Sequence, residues 1–362
     1  VARRLVHLGE PVTVLELDVL RRTLTPSPTY AERERELVYR GLVWLARTLT
    51  EAGVPVLIDA TGHRRAWRDL ARAVIPEFAE VQLLCPLELC RERERTRTGS
   101  HAPPGVYEAA GRPGSTVPGV DVPYEPALAP ELVVDTAREG VEAAATRVVS
   151  LALDLAALAP PRLRRTRSGW AIWITGLPGS GKSTLASRIA RRWAGTGTPL
   201  RILDVGEVCA FVLPGGRPGP PEEDLIHRTL ACAAHLLAEA GVAVIIDATA
   251  RRRLWRQLAR QLIRHFAEVQ LLCPPATCAE RERAARWRLG PCPWGAGTKG
   301  LRPPEPEVAV GYEPSPDAEL TIHTDACDPD HAAAQVLWLA ARLERAAAEA
   351  PAAAQGGLHA RA

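Results

Sequence analysis

The sequence contains no methionine and only two lysines, Lys182 and Lys299, so nearly all of its 45 basic side chains are arginine. It opens on valine, and with methionine absent it reads as an N-terminal truncation. No apolar run approaches the roughly 18 residues of a membrane span. The longest, from about Leu236 to Ile246, is broken by Glu239 and stops at Asp247. No basic stretch followed by an apolar core and a small-residue cleavage site opens the chain, so secretion has no support and a cytoplasmic location is expected. The eight cysteines include no C-x-x-C pair, and Cys85, Cys90, Cys273 and Cys278 read as reduced, mostly buried thiols. The histidines, His63 and His227 among them, lack metal-ligand spacing. A net charge of +3 is too small and too dispersed to make nucleic acid or a membrane the main partner. What is present, 46% hydrophobic and 24% charged residues over 362 positions, describes a globular chain of two domains.

A repeat organises the chain. Ala52-Gly53-Val54 through Glu94 recurs as Ala240-Gly241-Val242 through Glu282, about two-thirds identical, at a constant offset of 188 residues. Arg68 and Arg256 share that offset, as do Asp59 and Asp247, and Tyr124-Glu125-Pro126 and Tyr312-Glu313-Pro314. Each copy alternates β-rich runs with amphipathic helix-length segments, which predicts an α/β fold with a parallel sheet. In copy two the strands are expected at Trp170–Thr175, Pro199–Leu203, Val242–Ile246, Glu268–Leu272 and Leu320–His323. The nearly unbroken apolar runs Val54–Ile58 and Val242–Ile246 are expected inside a sheet covered on both faces. The boundaries read as copy one over 1–158, a linker over 159–168, copy two over 169–347 and an Ala-rich tail over 348–362. By the offset, Gly169 to Arg188 correspond to positions before Val1, so copy one is expected to lack its first strand and phosphate loop. Were that strand central, its two neighbours would lose backbone partners, at roughly 1–3 kcal/mol for each buried group against a domain stability of about 5–15 kcal/mol. Such a half is not expected to fold alone.

The segment Ala171–Thr175 reads as a strand, Gly176-Leu177-Pro178-Gly179-Ser180-Gly181-Lys182-Ser183 as a G-x-x-x-x-G-K-S phosphate loop, and Thr184 onward as a helix. Glycines there let backbone amides converge on phosphate oxygens, and the helix N-terminus adds partial positive charge. Lys182 is assigned to the β- and γ-phosphates of ATP and the Ser183 hydroxyl to Mg²⁺.

These residues resemble the adenylylsulfate kinases, whose loop reads G-L-x-G-x-G-K-S-T; Gly176 to Thr184 match it, with Pro178 where serine is usual. The family's D-G-D-x-x-R is similar to Glu16-Leu17-Asp18-Val19-Leu20-Arg21 in copy one, and more distantly to Asp204-Val205-Gly206-Glu207-Val208-Cys209 in copy two. Arg35 and Arg40 match basic positions of the family's substrate helix, where copy two has Glu223 and Arg228. Gly119-Val120-Asp121-Val122-Pro123-Tyr124-Glu125-Pro126 and Pro130 to Thr136 resemble its G-I-D-x-x-Y-E-P and P-E-L segments. Copy two keeps Gly311 to Pro314, and Thr298-Lys299-Gly300 is similar to the end of the family's basic lid. The resemblance implies a three-layer P-loop kinase fold in two tandem copies. It also implies Mg-ATP as phosphoryl donor, the 3′-hydroxyl of adenylyl sulfate as acceptor, and the homodimers in which such kinases commonly pair.

On this reading Asp18 orients or deprotonates the attacking hydroxyl, and Arg21, Arg35, Arg40 and Arg68 grip the acceptor's anionic groups with forked guanidinium donors. Ser183, Asp204 and Asp247 are the metal candidates. Helix capping explains Asp59 and Asp247 about equally well and is the competing role of Asp18, and Arg64-Arg65 and Arg251-Arg252-Arg253 also fit solvated helix faces. Two alternatives stay open. A kinase for another small hydroxylated acceptor is favoured by the V-x-I-D-A-T strand end, an aspartate the family usually lacks. A nucleotide-binding module without turnover is favoured by Gly206 and Cys209.

Overall fold

A computed structural model describes residues 1–98, 101–158, 168–289 and 311–349, with the side chains of 285–289 left aside. The described residues fall into two units, 1–158 and 168–349. Residues 159–167 and 350–362, from the expected linker and tail, lie outside them, as does Thr298-Lys299-Gly300.

Unit 1 runs α1 (Ala2–His7), β1 (Thr13–Glu16), α2 (Leu17–Leu24), α3 (Glu32–Glu51), β2 (Val56–Asp59), α4 (Arg65–Val74), β3 (Val81–Leu84), α5 (Leu87–Thr96), α6 (Val106–Ala109), β4 (Leu132–Asp135) and α7 (Val141–Leu158). Unit 2 runs β5 (Ala171–Gly176), α8 (Lys182–Trp193), β6 (Leu200–Asp204), α9 (Val205–Val212), α10 (Pro220–Glu239), β7 (Ala243–Asp247), α11 (Arg253–Leu262), β8 (Phe266–Leu272), α12 (Pro275–Leu289), β9 (Leu320–His323) and α13 (Pro329–Glu349). The five strands expected in copy two lie within two residues of β5 to β9.

Unit 2 is a three-layer α/β sandwich on a parallel five-stranded sheet of order β6-β7-β5-β8-β9. Every residue of β5 is buried, because the strand is paired on both edges and covered on both faces. Strand side chains alternate between faces. Ile172, Ile174, Ala243, Ile245, Val269 and Leu271 share one core with Leu185, Ile189 and Trp193 of α8 and with Ala333, Val336 and Ala340 of α13. Helix α10 packs against β5 and β7 and against α11. This central position carries the glycine-rich loop at the carboxyl end of β5, where the strand order reverses and open α/β sheets bind ligands.

Unit 1 repeats these elements in register, yet its strands form two separate parallel pairs, β1-β2 and β3-β4. The offset matches them to β6-β7 and β8-β9 and matches the start of α1 to the last turn of α8, and among the described residues nothing in unit 1 corresponds to β5 or to the earlier turns of α8. The expectation that Val54–Ile58 lies inside a sheet is therefore corrected: β2 pairs on one edge, and Val56, Leu57 and Ile58 are half-buried, whereas Val244, Ile245 and Ile246 are buried completely. Leu83 is 62% exposed, and its counterpart Leu271 is 2% exposed.

A buttress recurs in both units. Arg256, wholly buried, pairs with Glu268 at 2.7 Å, donates to Ser315 Oγ at 3.1 Å and to the carbonyls of Ala250 and Glu313, and lies over the Tyr312 ring. Arg68 pairs with Glu80 at 2.6 Å, donates to the carbonyls of Gly62 and Glu125, and lies over Tyr124. The Glu of each Y-E-P segment also accepts from the backbone N–H that opens the next helix, Arg65 N to Glu125 Oε2 and Arg253 N to Glu313 Oε2, both at 2.7 Å. These segments tie a late loop onto α4 and α11.

Candidate functional site

The phosphate loop is shaped by packing as much as by its own residues. Gly176 has φ +144°, and a Cβ there would meet Leu271 O at 2.6 Å; Gly179 has φ +79°, and a Cβ there would meet Cys278 O at 2.1 Å. The strand below and α12 alongside thus press on the loop's back, and only glycine fits. Gly181, with φ +100°, hands the chain to α8.

Lys182 is 9% exposed, and its Nζ donates to Gly176 O and Leu177 O, each at 3.0 Å. Burial pulls its ammonium below the usual lysine range, and the Asp247 carboxylate is the strongest influence the other way. Ser180 Oγ is buried with no hydrogen-bond partner. A loop whose glycines are required by close backbone contacts at its back, a buried ammonium bonded to its carbonyls and an orphaned buried hydroxyl fit a polyphosphate.

Asp247 ends β7 directly beside Asp204, which ends β6. Burial pushes the Asp247 carboxyl above the usual carboxylate range; a hydrogen bond from Ser183 and the charge of Lys182 oppose this, and Asp204 adds to it. The Asp204 carboxylate also caps α9, accepting from Glu207 N at 3.0 Å. Among the described residues no group of three or more His, Cys, Asp or Glu could hold a metal ion. A hydroxyl and two carboxylates suit an ion that keeps water and phosphate oxygens as its other ligands, the habit of Mg²⁺.

In unit 1, Asp18 and Arg21 line one cavity of about 380 Å³ together with Arg22, Tyr30, His101 and Pro103. Arg21 is buried, pairs with Glu34 at 3.2 Å and lies over the Tyr30 ring at 5.1 Å. His101 Nδ1 lies 3.2 Å from Glu16 Oε1. Arg35, also buried, donates to Thr116 Oγ1 at 2.6 Å; burial pulls its guanidinium down and the nearby Arg21 charge adds to this. Arg40 pairs with Glu36 one turn away.

Arg68 does not line the cavity, and its donors are directed at Glu80 and two carbonyls. Asp59 stands beside Glu16, and burial, then Glu16 and Asp18, push its carboxyl up. Tyr30, Arg22 and His101 went unnoticed in the sequence. Tyr30 has a positive φ of 55°, and His101 reaches Glu16 across 85 residues, neither of which a local motif reveals.

The model of the adenylylsulphate kinase family matches residues 1–135 and 168–288. An adenylyl-sulfate kinase of Rippkaea orientalis is 33% identical over 161 residues, covering 44% of this chain and 84% of that protein. One from Synechococcus sp. (strain JA-3-3Ab) is 36% identical over 143 residues, covering 39% and 76%. Among solved structures, the Mycobacterium tuberculosis APS kinase CysC in complex with AMPPNP and APS is 23% identical, with a TM-score of 0.37, covering 48% of this chain and 97% of that one.

Proposed function

The chain belongs to the adenylylsulphate kinase family, and from that premise we propose that it serves as a cytoplasmic, homodimeric phosphotransferase of sulfate assimilation. It moves the γ-phosphate of ATP to the 3′-hydroxyl of adenylyl sulfate. The observation that carries this reading is the loop Gly176–Ser183, with its glycine cradle, the buried Lys182 and the Ser183–Asp247 hydrogen bond. Phosphoryl transfer demands positioning and charge neutralisation more than covalent chemistry. Lys182 neutralises the β- and γ-phosphates, while backbone amides from Gly176 to Thr184 wrap them. Ser183, Asp247 and Asp204 would hold Mg²⁺, which when bound neutralises charge on the β- and γ-phosphate oxygens.

The acceptor residues are read in unit 1 by itself, and no single site is assembled from Lys182 and Asp18, which belong to different copies. In unit 1 Asp18 is the group to orient the acceptor hydroxyl and take its proton, and Arg21 and Arg35 are those to hold the acceptor's anionic groups through planar donor forks. The full-length protein given labelled ATP, magnesium and a panel of acceptors is expected to label adenylyl sulfate and to leave sugars and nucleosides unlabelled. Labelled sugar would sink the acceptor assignment, and no measurable affinity for Mg-ATP would sink the enzymatic reading. Asp247 favours a second reading, a kinase of this fold for another small hydroxylated acceptor, and the same panel decides between them.

A further inference from the structure

The two units carry the same wall on the acceptor side, built from the helix after the first acidic strand end and the start of the long helix that follows. Its chemistry has been inverted between them. In unit 1 the wall bears Asp18, Arg21, Arg22, Thr25 and Tyr30 around a cavity, with Arg35 and His63 behind it. At the same register positions unit 2 has Gly206, Cys209, Ala210, Leu213 and Pro218. Cys209 and Leu213 are both buried, so packing fills the volume where unit 1 keeps a guanidinium and a hydroxyl.

A second pair, buried in unit 1 and partly exposed in unit 2, has changed more. Glu223 replaces Arg35, Arg251 replaces His63, and the two form a bidentate ion pair, Arg251 Nε to Glu223 Oε1 at 2.9 Å and Arg251 Nη2 to Glu223 Oε2 at 2.6 Å. A forked guanidinium bound edge-on by a carboxylate is the geometry with which arginine grips an anionic substrate. Here the anion belongs to the protein.

We propose that Glu223 is an internal anion that plugs the acceptor side of unit 2, so that this unit holds Mg-nucleotide while excluding sulfated or phosphorylated acceptors. The inference rests on the nucleotide assignment above and adds a division of labour: anionic-acceptor recognition belongs to a wall of the unit 1 kind. Two ligands of one kinase site influence each other's affinity reciprocally. Exclusion of the acceptor predicts that such coupling is absent in unit 2.

The test is calorimetric titration of the intact protein with ADP and magnesium, with and without saturating adenylyl sulfate, in an Arg21→Ala background that disables the unit 1 cavity. The expected result is one nucleotide affinity, unchanged within twofold by adenylyl sulfate. Glu223→Ala in that background removes the carboxylate from Arg251. It is expected to create coupling of threefold or more, with inorganic sulfate acting in the same direction. A change above twofold while Glu223 is intact overturns the proposal, as does a Glu223→Ala protein that binds nucleotide normally and still ignores both anions. Failure of all variants to bind nucleotide overturns the enzymatic reading itself and is distinguished by the missing ADP isotherm.

Discussion

Leu83 and Leu271 occupy the same register position of the same strand in two copies of one fold, and one faces water while the other is buried. The helices α2, α3 and α4 begin and end at the positions matched by α9, α10 and α11, β1 and β2 start within one residue of the match to β6 and β7, and β3 ends where β8 does. Local structure therefore follows local sequence and survives in both units. Burial does not, because it is supplied by the central strand and the helix that follows it, of which among the described residues unit 1 has only the counterpart of the last turn. A β-strand's apolar face is a demand that a neighbour must meet.

The comparison is sharpest at the arginine buttress, where the largest effect is expected. Arg256→Ala would leave the buried Glu268 carboxylate with only the 3.9 Å contact to Arg260 for a cation, a loss toward the lower end of about 3–5 kcal/mol. Arg68 has the corresponding partners except Ser315, whose place Ala127 takes, but it and Glu80 retain some exposure, and water softens the loss. Hydrogen exchange resolved by unit is expected to show greater loss of protection in unit 2 for Arg256→Ala than in unit 1 for Arg68→Ala. Equal losses would mean that the central strand contributes nothing to the buttress.

Next in size is the strand itself. Leu271→Ala opens a cavity in a closed core and is expected to cost about 2–5 kcal/mol, whereas Leu83→Ala, at an exposed position, should stay within about 0.5 kcal/mol. Urea denaturation of the two variants measures the contrast. A large cost at Leu83 would mean that something covers it in solution.

Lys182→Ala comes third and probes what only unit 2 carries. Removing one charge-assisted contact to phosphate is expected to weaken ATP binding about 100-fold by calorimetry while leaving the fold intact, since the ammonium currently bonds only to loop carbonyls. Unchanged affinity would remove the phosphate loop from the nucleotide site. Asp247 supplies a pH signature. Its folded-state pKa is raised, so the carboxyl favours protonation in the fold, and unit 2 without ligand gains stability as pH falls through that value. Magnesium needs the carboxylate, so magnesium-dependent ATP affinity falls over the same range. Asp247→Asn should flatten both profiles; an unaltered magnesium profile would exclude Asp247 as a ligand.

How much was legible beforehand follows the same division. The five strands of unit 2, the phosphate loop and the repeat were readable because alternation, glycine spacing and the 188-residue offset are local or periodic signals. The partners of Arg68 were not readable, because a guanidinium suits an acceptor anion and a pair of carbonyls equally well. Glu125, whose carbonyl it meets, lies 57 residues away and is brought alongside by tertiary folding. The cavity around Asp18 and Arg21 was half visible. Its motif named two walls, while Tyr30 and His101 arrive through a left-handed residue and a long connection.

The smallest effect tests whether the units differ everywhere or only around the central strand. Arg72 forms a forked pair with Glu131, and the matching Arg260 pairs with Glu319; all four side chains are about one-third exposed. The hydrogen bond from Arg72 holds the Glu131 carboxyl down at about 2. Burial acts to raise Glu319, yet hydrogen bonds from Arg260 and the Glu268 backbone keep it below the usual carboxylate range. Both shifts are downward, so each pair's stabilisation is present above the unfolded-state value and disappears as pH falls through the folded one. Screening at such exposure limits each to under about 1 kcal/mol. Glu131→Gln and Glu319→Gln are therefore expected to destabilise their units equally and slightly at pH 7 in urea titrations, and the effect of each is expected to fade as pH falls through its folded-state value. A cost at Glu319 several times that at Glu131 would show that the central strand's influence extends to the outer strands of the sheet.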